Sequence, residues 1–244
     1  MSKKITIKVN NLSIKGILEN PKSAKIVILA HGFTGDLRGP DHIFEKLSKK
    51  LEKLGYATLR FSFRGTPPSE GEYINTTVSS QVEDLKKVVE HTRSLGYTDI
   101  ALLGESMGGS IVARAYDQLI KAVVFWYPAL DFVDTSFRKY LTSEIQTKIR
   151  KQGYFLEEGY KIGKQFVDEI PSINLYREAG EIKCPVLFVH GDKDRDVPHQ
   201  QSEKAFQKAN DPKEIHIIKD ADHCFITKQD EAIDLTTDFF ERYF

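Results

Sequence analysis

The chain lacks the features that would place it in several large functional classes. Its 244 residues include only two cysteines, Cys184 and Cys224. They are far apart, match no metal or redox spacing, and sit among apolar neighbours, so reduced, buried thiols are expected. Neither sign of charge is in excess: lysine plus arginine and aspartate plus glutamate number 35 each. With no basic run either, the electrostatic footprint of a nucleic-acid binder is missing. No apolar run approaches the length of a bilayer span, and Ile5-Thr6-Ile7-Lys8-Val9 alternates like a strand rather than forming a signal-peptide core. A soluble, cytoplasmic protein is the expectation. Nor is there a G-x-G-x-x-G, an H-E-x-x-H or a P-loop, so no metal and no cofactor is implied.

What is present is a regular alternation. A hairpin is expected first, Ile5 to Val9 and Leu12 to Leu18 around a turn at Asn10-Asn11. Next comes the apolar run Ile26-Val27-Ile28-Leu29-Ala30, which suits a strand buried on both faces of a parallel sheet. Phe44, Leu47, Leu51 and Leu54 follow at helical spacing, with Gly55 as the stop. Strands at Ala57–Phe61, Ile100–Leu103, Lys121–Trp126, Val186–Val189 and Glu214–Ile218 then alternate with helices near 78–95, 106–116, 200–208 and 229–243. That pattern means βαβ units: an α/β protein with a mostly parallel central sheet and helices on both faces. The length fits a single domain over residues 1–244. From about Ala129 to Gly180 the rhythm fails, and helix-like pieces carry Phe132, Phe137, Tyr140, Tyr154, Phe155, Tyr160, Phe166 and Tyr176. So long an interruption reads as a functional insertion, a small cap over the C-terminal edge of the sheet.

Gly104-Glu105-Ser106-Met107-Gly108 matches G-x-S-x-G. The pattern alone is weak. A strand immediately before it and a helical run, Gly109 to Ala115, immediately after it make a nucleophile elbow, in which flanking glycines avoid backbone clashes and the serine hydroxyl stands above the sheet. Ser110, nearby, falls inside the helix. A serine needs a base, and the base an orienting acid, delivered by this fold in the order serine, acid, histidine. Of seven histidines, His31, His42, His91 and His190 come too early. His199 begins a helix and His216 lies within a strand, which leaves His223, in a loop before the last helix. For the acid, Asp192, Asp194 and Asp196 share the loop after Val189. Asp192 is expected to hydrogen-bond turn backbone and Asp196 to cap or pair with Arg195. In this fold the loop His31-Gly32-Phe33-Thr34-Gly35 supplies one oxyanion-hole amide and the residue after the nucleophile the other, by position Phe33 and Met107. His31 is expected to brace that loop.

These residues, together with Arg60-Phe61-Ser62-Phe63-Arg64-Gly65, His190-Gly191 and Ala221-Asp222-His223-Cys224-Phe225, resemble the cinnamoyl/feruloyl esterase-like branch of the α/β hydrolases, close to bacterial carboxylesterases. The resemblance covers nearly the whole chain apart from the cap. It implies Ser106 as nucleophile, Asp194 as acid, His223 as base, and the Phe33 and Met107 amides as oxyanion hole. Its members often carry His-Ser-Gln where this chain has Glu105-Ser106-Met107. Arg64-Gly65-Thr66-Pro67-Pro68-Ser69 replaces a more glycine-rich loop and is expected to reshape a pocket wall.

The implied activity is serine carboxylesterase, on a small-molecule ester of feruloyl, cinnamoyl or short-to-medium acyl type. Alternatives on the same three side chains are monoacylglycerol lipase, thioesterase or acyl-peptidase; a remote one is an inactive hydrolase-fold binding module. Rate should fall below about pH 6 as the base protonates. The N-terminal hairpin, placed at a sheet edge, offers a route to a homodimer.

Overall fold

The computed structural model describes residues 2–244. In chain order it contains β1 (Ser2–Val9), β2 (Leu12–Glu19), β3 (Lys25–Ala30), α1 (Ile43–Lys53), β4 (Ala57–Ser62), α2 (Val78–Ser94), β5 (Asp99–Glu105), α3 (Met107–Ala115) and β6 (Ala122–Trp126). Then come α4 (Ser143–Gln152), β7 (Tyr154–Glu157), β8 (Tyr160–Gly163), α5 (Lys164–Glu169), α6 (Tyr176–Glu181), β9 (Val186–Gly191), α7 (Gln200–Lys208), β10 (Lys213–Ile218) and α8 (Gln229–Tyr243). The main sheet runs β1-β2-β4-β3-β5-β6-β9-β10. β1 pairs antiparallel with β2, and β2 with β4; every later neighbour is parallel.

The continuous apolar runs are explained by helices on both faces. Along β3, Ile26, Ile28 and Ala30 enter one core with Leu85, Val88 and Ile111 of α2 and α3. Val27 and Leu29 enter the other, with Phe44, Leu47 and Leu51 of α1 and Phe239 and Phe240 of α8. This is the expected α/β-hydrolase arrangement. Lys3, Lys4 and Lys8 stand exposed on the edge strand β1, a charge pattern that opposes pairing with another chain. Among the described residues, no helix is long and apolar enough to cross a membrane.

Between β6 and β9 the helical reading of the aromatic-rich stretch needs one correction. Tyr154–Glu157 and Tyr160–Gly163 are not helical but pair antiparallel around Glu158-Gly159, both at positive φ (50° and 83°). Alternation on either side of a two-residue turn ending in glycine is a hairpin signal, and here it outweighed the helical spacing of the aromatics. The stretch joins the core of the α2–α3 face through Phe132, Phe137, Tyr140, Phe155 and Phe166. Ring centroids lie 4.6 Å apart for Phe132–Phe137 and 4.7 Å for Tyr140–Phe155.

Candidate active site

β5 delivers Ser106 at the C-terminal edge of the sheet, and α3 starts at the next residue. Ser106 sits at φ 53°, ψ −122°, a conformation costly for a residue with a side chain and typical of functional turns. Its neighbours explain why it persists. The Ser106 amide donates to Trp126 O at 2.9 Å, and its carbonyl accepts from the amides of Gly109 and Ala129, both at 3.0 Å. A Cβ on Gly104 would press on the Gly108 carbonyl, and one on Gly108 on the carbonyls of Ala30 and His31. Both glycines are therefore steric requirements of the turn. Ser110 is buried within α3 and bonds the Ala129 carbonyl.

The structure brings three of the expected side chains together. Ser106 Oγ lies 3.0 Å from His223 Nε2, and His223 Nδ1 lies 2.7 Å from Asp194 Oδ2. Asp194 is completely enclosed as a side chain. Its Oδ1 accepts from the amides of Asp196 and Val197, both at 2.9 Å, while Oδ2 also lies 3.0 Å from His190 Nε2. Burial would push the Asp194 carboxyl up, but the hydrogen bonds from His190 and His223 overcome it and hold the group well below the usual carboxylate range. Burial would likewise lower His223; the hydrogen bond and charge of Asp194, with Glu105 and Asp196 behind, reverse that and raise it above its ordinary 6.5.

The second partner of Asp194 was not legible in the sequence. His190, at the end of β9, is fully buried. Burial lowers its pKa; Nε2 donates toward Asp194 Oδ2 and the Val197 carbonyl, each at 3.0 Å, and Nδ1 lies 2.8 Å from Ser202 Oγ. In the sequence it appears as a histidine closing an apolar strand and as part of the His190-Gly191 pair in the family resemblance, with nothing to mark it as a partner of Asp194.

Asp192 accepts from the Asp220 amide at 2.7 Å, the backbone role expected of it. Asp196 differs from expectation. Rather than pairing with Arg195, it lies with a carboxylate oxygen within 4.8 Å of ligand atoms of Asp194 and His223, because the Asp194 side chain folds the loop back on itself. Cys184 is buried as expected, whereas Cys224 is only partly so. Burial, with Glu105 and Asp222 nearby, pushes the Cys224 thiol up to about 12.

The loop after β3 packs directly on Ser106: a Cβ on Gly32 would lie 3.0 Å from Ser106 Cβ. His31 is buried and braces the loop, with Nδ1 2.8 Å from the Gly32 carbonyl and Nε2 accepting from the Phe63 amide at 3.1 Å. Burial takes its pKa down to about 4, so it is neutral. The Thr34 amide donates to Tyr73 Oη at 2.9 Å. The Phe33 ring is gripped by the inserted segment, 5.1 Å from Phe166 and 5.2 Å from Phe137 between centroids. Met107 is fully buried at the start of α3.

A cavity of about 600 Å³ opens over Ser106 and His223, walled by Phe33, Phe137, Tyr140 and, at the hairpin, Glu157 and Glu158. One expectation changes here, that of the 64–69 loop as a pocket wall. Of the insertion's eight highlighted aromatics only Phe137 and Tyr140 reach the cavity; Phe132, Phe155 and Phe166 pack inside. The 64–69 loop is not a cavity wall. It turns toward β2, where Ser69 Oγ accepts from the Lys15 amide at 2.8 Å and the Glu70 amide donates to Ser13 O at 2.9 Å.

Comparison with known proteins agrees with this architecture. Est1E from Butyrivibrio proteoclasticus, solved with ferulic acid bound, superposes with a TM-score of 0.86 over 98% of both chains at 22% identity. The mitochondrial palmitoyl-protein thioesterase ABHD10 of Bos taurus is 26% identical over 215 residues, 84% of this chain and 68% of that protein. The uncharacterized protein YfhR of Escherichia coli (strain K12) is 26% identical over 201 residues, 81% of this chain. The chain spans 62% of the length of YfhR. Residues 44–244 match the prolyl oligopeptidase family, and the chain belongs to that family, within the α/β-hydrolase superfamily.

Proposed function

We propose that this protein is a serine hydrolase that cleaves carboxylic esters through an acyl-enzyme. The observation that carries the reading is the continuous chain from Ser106 Oγ through His223 to Asp194, with links of 3.0 and 2.7 Å, under an open cavity. Ser106 Oγ attacks the ester carbonyl while His223 Nε2 takes its proton. Asp194 holds the Nδ1–H tautomer and stabilises the imidazolium. The amides of Phe33 and Met107 receive the oxyanion. His223 then protonates the departing alkoxide, and water repeats the sequence to release the acid.

A cavity of about 600 Å³ suits a small-molecule ester, and its Phe33, Phe137 and Tyr140 walls suit a cinnamoyl or short-to-medium acyl group. The test is a panel of p-nitrophenyl esters from acetate to palmitate plus methyl ferulate. Ser106→Ala is expected to lower turnover at least about a thousandfold; equal rates would refute the reading. The likeness to a thioesterase favours one second reading, thioester hydrolysis on the same residues. Oxygen ester and thioester of one acyl group, assayed side by side, separate the two.

A further inference from the structure

The acyl-transfer scheme gives no role to Glu105, the residue before Ser106, although it is only 4% exposed. Carboxylates are rarely buried unless something holds them. Here the holder is the loop after β3: the Gly32 amide donates to Glu105 Oε1 at 2.6 Å. The same glycine backs onto the other oxygen, since a Cβ there would stand 3.1 Å from Oε2. The carboxylate also neighbours the hydroxyl of Tyr127, a fully buried phenol. Tyr127 packs its ring 4.6 Å from His223. Glu105 therefore has little room to move, and its short 2.6 Å bond goes to the backbone of the oxyanion loop.

We propose that Glu105 is a positioning residue, which fixes the Gly32–Phe33 peptide against Ser106 so that the Phe33 amide points at the developing oxyanion. Thr34 has a positive φ of 56°, and the loop has two further side-chain anchors: His31 Nδ1, 2.8 Å from the Gly32 carbonyl of that same peptide, and Tyr73 Oη, which accepts from the Thr34 amide. Glu105 and Tyr73 bind the amides immediately before and after Phe33, and together with His31 on the Gly32 carbonyl they restrict how the intervening peptide can turn. Oxyanion donors act only within about 2.7–3.1 Å of the charge, so a small tilt of this peptide lowers turnover without weakening ground-state binding.

The inference rests on the acyl-transfer reading, and two conservative variants test it. Glu105→Asp retracts the acceptor by about 1.5 Å while keeping the charge; Glu105→Gln keeps an acceptor oxygen at full length without the charge. Glu105→Asp is expected to lower kcat at least about tenfold with KM within about threefold. Glu105→Gln is expected to recover kcat to within about threefold of wild type, because its amide oxygen still accepts from Gly32. An Asp variant less than tenfold slower, a Gln variant as slow as the Asp variant, or a loss confined to the urea midpoint would each overturn the positioning role. If wild type shows no Ser106-dependent hydrolysis, the acyl-transfer reading itself fails; if wild type is active and both variants match it, only the role of Glu105 is lost.

Discussion

Replacing Asp194 by asparagine should nearly abolish turnover, and the geometry explains both the sign and the size. The two oxygens of Asp194 are fully committed: Oδ1 to the amides of Asp196 and Val197, Oδ2 to His190 and His223. Asparagine offers one acceptor oxygen. If that oxygen stays on the two amides, the NH2 group faces two imidazoles, and His223 must present a bare Nδ1. The proton then sits on Nε2, where it cannot accept from Ser106. The lost charge adds to the wrong tautomer. For unit charges at the 2.7 Å separation of His223 Nδ1 and Asp194 Oδ2, an effective dielectric of about 20 gives an attraction of about 6 kcal/mol. Taken as the ceiling on the charge contribution, that is about thirty-thousandfold on the rate. We expect kcat on p-nitrophenyl butyrate to fall between about a thousandfold and that ceiling, with Ser106→Ala as background and circular dichroism to establish folding. Asp192→Asn is the control: it weakens one backbone hydrogen bond, about 1 kcal/mol of stability, and should leave kcat within about threefold. A folded Asp194→Asn within tenfold of wild type, or Asp192→Asn as the slower variant, would refute the argument.

Other outcomes follow from the same geometry. His223 is raised above its ordinary 6.5, and the base must be neutral to accept a proton, so the rate should fall as pH drops through a midpoint above 6.5 rather than only below about 6 as expected from the sequence; a kcat/KM profile flat from pH 5 to 8 would contradict it. Gly108→Ala drives a methyl into the Ala30 carbonyl and to 2.7 Å from that of His31, which should cost about 3 kcal/mol or more in urea unfolding; an unchanged midpoint would show that the elbow can relax. The cavity lining contains Asp36, Asp41, Glu105, Glu157, Glu158 and Asp196 against Arg38 and Lys139. A terminal carboxylate on the acyl chain should therefore lower kcat/KM at least about tenfold against the neutral chain of equal length, with a smaller gap at high salt; equal values would remove the electrostatic argument.

Much was legible because it is local. The nucleophile elbow is a steric problem solved within five residues, so Gly104, Ser106 and Gly108 declare it in one dimension. The βαβ order also survives in sequence, since burial on both faces requires unbroken apolar runs such as Ile26 to Ala30. The hairpin Tyr154–Gly163 was legible in principle, in the two-residue turn Glu158-Gly159, but aromatics at helical spacing masked it.

Other features depend on contacts that no local pattern encodes. Three aspartates within five residues are equivalent as letters; the backbone turn that aims Asp194 at His190 and His223, and Asp192 at Asp220, distinguishes them. Glu105 reads as an oddity beside the serine until Gly32, 73 positions away, is seen to donate to it. The insertion's aromatics look alike in sequence, yet packing sends Phe132, Phe155 and Phe166 inward and leaves Phe137 and Tyr140 on the cavity. By itself the sequence determined the elbow, the strand order along the chain and the candidate chemistry, because backbone sterics and burial act on neighbouring residues. Tertiary structure alone decided which acid meets the histidine, what holds Glu105 and what lines the cavity, because those outcomes depend on distances between residues far apart in the chain.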